Sequence, residues 1–252
     1  MKTAIITGAS SGLGAEFVKA VASGRKDIEK IIVCARREDR LKQLKDLYGD
    51  IIFPLPLDLT SDGFDTVLSN TLSENGFEIA LLINNAGFGK LGNFEDISTR
   101  DNALMVRLNC EAVNTVTSVC LPYMRAGAEI INTCSIASFA PNIRMATYSS
   151  TKAYIMSLSR ALREELKPRG INVLACCPGP METEFLPLAN ITKGESHTFD
   201  TLPRVNVRTM ATKALAASKK GKAVYTNKLF YKFYRLVAKV LPHSLVMKMA
   251  KT

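Results

Sequence analysis

Short apolar runs alternate along this chain with segments of helical period, and that alternation narrows the fold more than any other feature. The runs 3–6, 30–35, 51–57, 79–83, 129–134, 171–176 and 223–226 read as buried strands. Between them, segments 12–22, 37–47, 63–72, 100–124, 147–166 and 207–217 carry apolar residues at helical spacing. Strand then helix, repeated, implies right-handed crossovers and a parallel sheet. The strands are apolar almost throughout, as strands covered on both faces must be.

Pro54 and Pro56 place one strand within that sheet. They lie two apart, so both missing N–H groups face the same side, and that side cannot pair. The third strand is therefore expected at an edge, as in the order 3-2-1-4-5-6. The fold class expected is α/β: a Rossmann-type doubly wound parallel sheet in three layers, α/β/α. At 252 residues the chain suits a single domain over 1–252.

The first strand ends in Thr7-Gly-Ala-Ser-Ser-Gly-Leu-Gly14, and helical period begins at once. Glycines there allow a tight turn and a close backbone approach, and a helix N-terminus offers free N–H groups to a pyrophosphate. Gly8, Ser10, Ser11, Gly12, Leu13 and Gly14 are the expected contacts; a plain strand–helix turn is the alternative. Nucleotide sites that take NAD commonly end the second strand in an acid, which binds the ribose 2′-hydroxyl. Here that place reads Cys34-Ala-Arg36-Arg37, and two guanidiniums favour a 2′-phosphate, hence NADP (as NADPH). Asp58 and Leu59 end the third strand, where an adenine edge can be held. Asn85, Ala86 and Gly87, in Asn84-Asn-Ala-Gly87, end the fourth, with small residues against the ligand and amides that tie neighbouring strands.

Tyr148 and Lys152 stand at i and i+4 of an expected helix, on one face a turn apart. An ammonium beside a phenol is expected to lower the phenol from its ordinary pKa of about 10, giving a usable acid near neutral pH. With a nucleotide turn in the same chain, this points to proton transfer coupled to hydride transfer.

These motifs now stand in order: Thr7-Gly8-x-x-x-Gly12-x-Gly14, Asn84-Asn-Ala-Gly87, Asn109, Ser135, Tyr148-x-x-x-Lys152 and Pro178-Gly179. From about Lys2 to Thr183 the chain resembles the short-chain dehydrogenase/reductase family in its single-domain form. The resemblance implies that Tyr148 is the general acid in carbonyl reduction and that Lys152 depresses its pKa and binds the nicotinamide ribose. It implies that Ser135 hydrogen-bonds the substrate oxygen, while Asn109 holds a water near Lys152 for proton supply. Pro178, Gly179 and Thr183 are implied beside the nicotinamide. Ser138 lies too near Tyr148 for the family pattern, and Cys134 and Pro180 are local departures that remove no needed group. A homodimer or homotetramer is implied, acting on a small-molecule carbonyl or alcohol substrate. The alternative is a non-catalytic NADP-binding regulator, or a membrane-associated protein, of the same fold.

The cysteines, Cys34, Cys110, Cys120, Cys134, Cys176 and Cys177, form no C-x-x-C pair, and the histidines are two, His197 and His243. Buried reduced thiols are expected, and no metal site. No apolar run approaches the roughly 20 residues that span a bilayer, and the N-terminus lacks a signal pattern, so a cytoplasmic location is expected. The net charge is +10, yet residues 203–252 hold twelve of the 33 Lys and Arg and none of the 23 Asp and Glu. No nucleic-acid motif accompanies this surplus, and no nucleic-acid partner is expected.

Residues 184–210 read as a flap over the substrate. Phe185, Leu186 and Leu188 would form its apolar underside, with Phe88, Phe139 and Met145 nearby, so an apolar or lipid-like ketone or aldehyde is the expected substrate. Residues 226–252 read as a basic amphipathic extension. Within it Leu229, Phe230, Phe233, Leu236, Val237, Val240 and Leu241 form a helical stripe, with Lys232, Arg235 and Lys239 off it. The stripe packs on the domain or a second subunit, makes peripheral contact with an anionic membrane, or lines the substrate entrance.

Overall fold

The structure, a computed structural model of the chain, describes residues 1–192, 194 and 196–249. Lys193 and Glu195 of the expected flap, and Ala250, Lys251 and Thr252 of the expected extension, lie outside the described residues.

The first half contains β1 (Lys2–Thr7), α1 (Gly12–Gly24), β2 (Lys30–Ala35), α2 (Glu38–Tyr48), β3 (Ile52–Pro56), α3 (Phe64–Glu74) and β4 (Glu78–Asn84). There follow α4 (Thr99–Val106), α5 (Ala112–Cys120), β5 (Glu129–Thr133), α6 (Ala146–Leu166) and β6 (Asn172–Cys176). The remainder is α7 (Phe185–Leu188), α8 (His197–Thr201), α9 (Val207–Lys219), β7 (Val224–Tyr225), α10 (Leu229–Val240) and α11 (His243–Met249).

All seven strands pair in parallel, in the order β3-β2-β1-β4-β5-β6-β7. The strand with two prolines is at the edge, as expected. The Leu57 N–H donates to the Ala35 carbonyl at 3.0 Å, so odd positions face β2 and the prolyl nitrogens at 54 and 56 face the open side. Successive strand residues alternate between two cores. Ala4, Ile6, Ile31, Val33, Leu81 and Ile83 pack under α1, α2 and α9. Ile5, Ile32, Leu82, Ile130 and Val173 pack under α3, α5 and the C-terminal part of α6. This is the three-layer α/β/α arrangement.

The segment 100–124 departs from the single helix expected. Between α4 and α5 the turn Arg107–Glu111 widens to i→i+5 hydrogen bonding, and Asn109 sits in it, fully buried.

In the tail one of the expected alternatives fails. α10 does not pack on the domain through its hydrophobic stripe. Tyr231 and Ala238 are the buried residues, and Leu229, Phe233, Leu236 and Val240 point outward. A tyrosine–alanine row has the same period as the stripe beside it, and only the neighbouring surface decides which faces in.

Candidate active site

The carboxyl ends of β1 and β4 meet where the strand order reverses, and this is where the site forms. Gly8 and Gly12 adopt φ of +65° and +53°, a region that strains any side chain. A Cβ on Gly14 would lie 2.0 Å from the Gly8 carbonyl oxygen, so α1 begins closer to the turn than other residues permit. The Thr7 hydroxyl accepts from the backbone N–H groups of Asn85 and Ala86, both at 3.0 Å. The Asn85 amide donates to the carbonyls of Thr7 and Gly8 at 3.2 and 3.4 Å. Asn84 donates to Asn132 and Thr117, both at 2.9 Å. The amides thus tie neighbouring strands, as the sequence led us to expect. No side chain caps the first turn of α1, so its N–H groups remain free to receive an anion.

Arg36 and Arg37 follow β2 and are exposed. Arg37 donates to the Ser10 hydroxyl through Nε at 3.3 Å and Nη2 at 3.1 Å. Its Nη1 lies 2.9 Å from the Glu184 carboxylate, which joins the glycine turn to the start of the flap. Burial tends to raise the Asp58 carboxyl, but hydrogen bonds from Thr60 and the charges of Arg36 and Arg107 hold it below its ordinary value.

Tyr148 lies in the first turn of α6. Burial pushes its phenol up to about 12, against a hydrogen bond with Ser135 that pulls it down. The Ser135 oxygen accepts from the Ala137 N–H at 3.1 Å, which fixes its orientation. Lys152 lies with Nζ 5.8 Å from the centroid of the Tyr148 ring and donates to the Thr133 carbonyl at 2.9 Å. Burial lowers its own pKa. The expected lowering of the phenol is not seen here: loss of water around the phenol outweighs the Ser135 hydrogen bond, and the ammonium is turned to a carbonyl.

Asn109 acts as a brace. Its Oδ1 accepts from the Phe88 N–H at 3.1 Å, and its Nδ2 donates to the Phe88 carbonyl at 2.8 Å and to Thr151 at 3.0 Å. A Cβ on Gly87 would lie 2.8 Å from that Oδ1 and 3.4 Å from Lys152 Nζ, so only glycine fits between the two.

One cleft of about 1020 Å³ joins these parts, at the upper end of the range usual for small-molecule sites. Every residue expected at the site lines it except Gly14 and Asn109, which stand behind the lining. Pro178 accepts from the Ile136 N–H at 3.0 Å. Thr183 lies against Gly12, 3.3 Å from where a Cβ would stand. At the inner end Phe185 tilts over Tyr148, ring centroids 5.6 Å apart. Phe88, Met145 and Leu186 complete an apolar wall around that ring, and Leu188 lies farther out on the cleft. Phe139 does not join that wall; its ring packs against Tyr234 at 5.9 Å.

Three features escaped sequence reasoning. Glu184 pairs with Arg37, although a lone acid after Thr183 carries no spacing signal. Thr133 supplies the carbonyl that holds Lys152, and backbone acceptors leave no mark in a sequence. Tyr231 and Tyr234 of α10 line the cleft beside Phe230 and Val237, the two stripe residues for which an entrance role was one of the expected alternatives. Tyr231 lies on Gly179, where a Cβ would be 2.3 Å from its ring.

A model of the short chain dehydrogenase family matches residues 2–193. The NADP-dependent 3-hydroxy acid dehydrogenase of Schizosaccharomyces pombe is 33% identical over 192 residues, covering 73% of each chain. Among solved structures, a short-chain dehydrogenase from Sphingobium yanoikuyae in complex with NADPH superposes with a TM-score of 0.80 at 29% identity, covering 95% of this chain and 93% of that one. The bulky-bulky ketone specific alcohol dehydrogenase from Comamonas testosteroni gives a TM-score of 0.74 at 27% identity, covering 94% and 90%.

Proposed function

The chain belongs to the short chain dehydrogenase family, and from that premise we propose that it is an NADPH-dependent oxidoreductase that reduces an apolar ketone or aldehyde to the alcohol. The observation that carries the reading is the position of Tyr148. Its phenol, which burial pushes up to about 12, is bonded to Ser135 and walled by Phe185, and it lines the same cleft as the glycine turn and the arginines.

The donor set fits the cofactor. The free first-turn N–H groups of α1 suit a pyrophosphate, and Arg36 and Arg37 suit a 2′-phosphate. Asp58 and Leu59 would hold the adenine end. Asn85, Ala86 and Gly87 would pack along it, with Pro178, Gly179 and Thr183 at the nicotinamide end. NADPH, when bound, supplies the hydride.

The residues of the chain manage the carbonyl oxygen. Ser135 donates a hydrogen bond to it, and Tyr148 donates its phenolic proton as negative charge develops there. Lys152, close to the ring and held on the Thr133 carbonyl, would bind the ribose hydroxyls. Asn109 holds Phe88 and Thr151 in place and would anchor the water that returns a proton. The wall of Phe88, Met145, Phe185 and Leu186 excludes water and selects an apolar substituent. Six free thiols suit a reducing compartment, which favours the cytoplasm, and the family resemblance favours a homodimer or homotetramer.

A panel of ketones and aldehydes, followed by NADPH absorbance, tests the reading. Turnover that rises with the length of the apolar substituent is expected. Strict preference for small polar sugars would contradict the substrate class.

A further inference from the structure

Helix α10 carries three parallel rows. Tyr231, Tyr234 and Ala238 face the domain: Tyr231 donates to the Pro203 carbonyl at 2.8 Å, and Tyr234 meets Phe139. Leu229, Phe233, Leu236 and Val240 form a second row at 4-3-4 spacing, with 81%, 64%, 58% and 72% of their surface exposed. Lys228, Lys232, Arg235 and Lys239 form a third row, each one residue before an apolar one and all exposed. The apolar row continues into Leu241 and Leu245, also exposed. Contiguous apolar surface of this kind marks a docking face.

We propose that α10 and α11 dock on the surface of an anionic lipid bilayer. Charge complementarity selects that occupant. An apolar row beside a row of cations is the arrangement that puts hydrocarbon at the acyl boundary and ammonium groups among headgroup phosphates. Residues 203–252 contain no Asp or Glu, so a second copy of the helix would bring a basic row with no acid on either side to answer it. Among the described residues no helix is long and apolar enough to cross a membrane, so the contact is peripheral. The same two helices line the cleft through Phe230, Tyr234, Val237 and Val246. Docking therefore sets the mouth of the cleft at the bilayer surface, where an apolar carbonyl compound dissolves. That last step rests on the reductase reading; the docking does not.

Flotation of the full chain with vesicles tests it, using phosphatidylcholine alone and phosphatidylcholine mixed with phosphatidylglycerol. Flotation with the mixed vesicles that falls with added salt is expected. Lys232→Ala with Lys239→Ala should weaken it roughly 25-fold, about five-fold per cation. Phe233→Glu with Leu236→Glu should abolish it. Circular dichroism and thermal melting confirm that each variant is folded, since all four side chains are exposed. Equal flotation of wild type and the Phe233/Leu236 variant would overturn the proposal. So would no flotation of wild type, or self-association in solution that the same variant abolishes. Docking without turnover of any carbonyl compound would leave the docking standing and remove the reductase reading instead.

Discussion

Tyr148 stands against the Phe185 ring, and the water kept out around its hydroxyl raises the phenol to about 12. The spacing of Tyr148, Lys152 and Ser135 was legible in the sequence, because helical period fixes which side chains share a face. The direction of the shift was not, because it depends on how the flap folds over the ring. The sign has a consequence for stability. The folded value lies above the ordinary value of about 10, so the phenol's contribution is intact below pH ~10 and is lost as pH rises toward 12. Unfolding free energy should fall over that window by more in wild type than in Tyr148→Phe, a difference on the order of 2 kcal/mol read from denaturant unfolding. Identical alkaline profiles would contradict the burial of the phenol. Arg36 and Arg37 were legible as following β2, and both line the cleft. Arg36→Asp should raise KM for NADPH by roughly ten-fold or more and leave that for NADH nearly unchanged, since only the former carries the 2′-phosphate. Equal losses in steady-state assays with both would remove the assignment.

At the scale of elements, periodicity located the strands and the longer helices but not the short α7, α8 and α11 of the flap and tail, and what it missed is instructive. The widened turn at Arg107–Glu111 reads as continuous helix, because one extra residue barely disturbs an apolar period. Its effect is to aim Asn109 at Phe88 and Thr151. Asn109→Ala would leave the Phe88 backbone groups buried without partners, at a cost of about 1–3 kcal/mol in denaturant unfolding. Unchanged stability would mean that the brace is dispensable. The tail left its alternatives open for a different reason. Its stripe was correctly periodic, but hydrophobicity does not say which of two adjacent rows meets the domain. Tyr231 faces inward because Gly179 leaves a flat place for its ring. Gly179→Ala should therefore destabilise by about 1–3 kcal/mol. Adding Tyr231→Ala should give a double mutant less destabilised than the sum of the two. Strict additivity in a double-mutant cycle would show that the contact carries no strain.

At the scale of the molecule, the alternation of strand and helix pointed to a doubly wound parallel sheet and the paired prolines put its third strand at the edge, and the observed order agrees, with β7 added beyond β6. That order brings the glycine turn, Arg36, Arg37 and Tyr148 to the lining of one cleft. The charge is divided as well, with the basic surplus confined to residues 203–252, whose helices close the cleft. Everything in this account turns on a protonated Tyr148 delivering its proton to a carbonyl oxygen inside that cleft. The most direct measurement is the rate of NADPH oxidation by wild type and Tyr148→Phe on one carbonyl substrate, with NADPH affinity followed by fluorescence. The variant should bind NADPH as wild type does and turn over roughly 10²–10⁴-fold more slowly. Turnover at the wild-type rate would contradict the account.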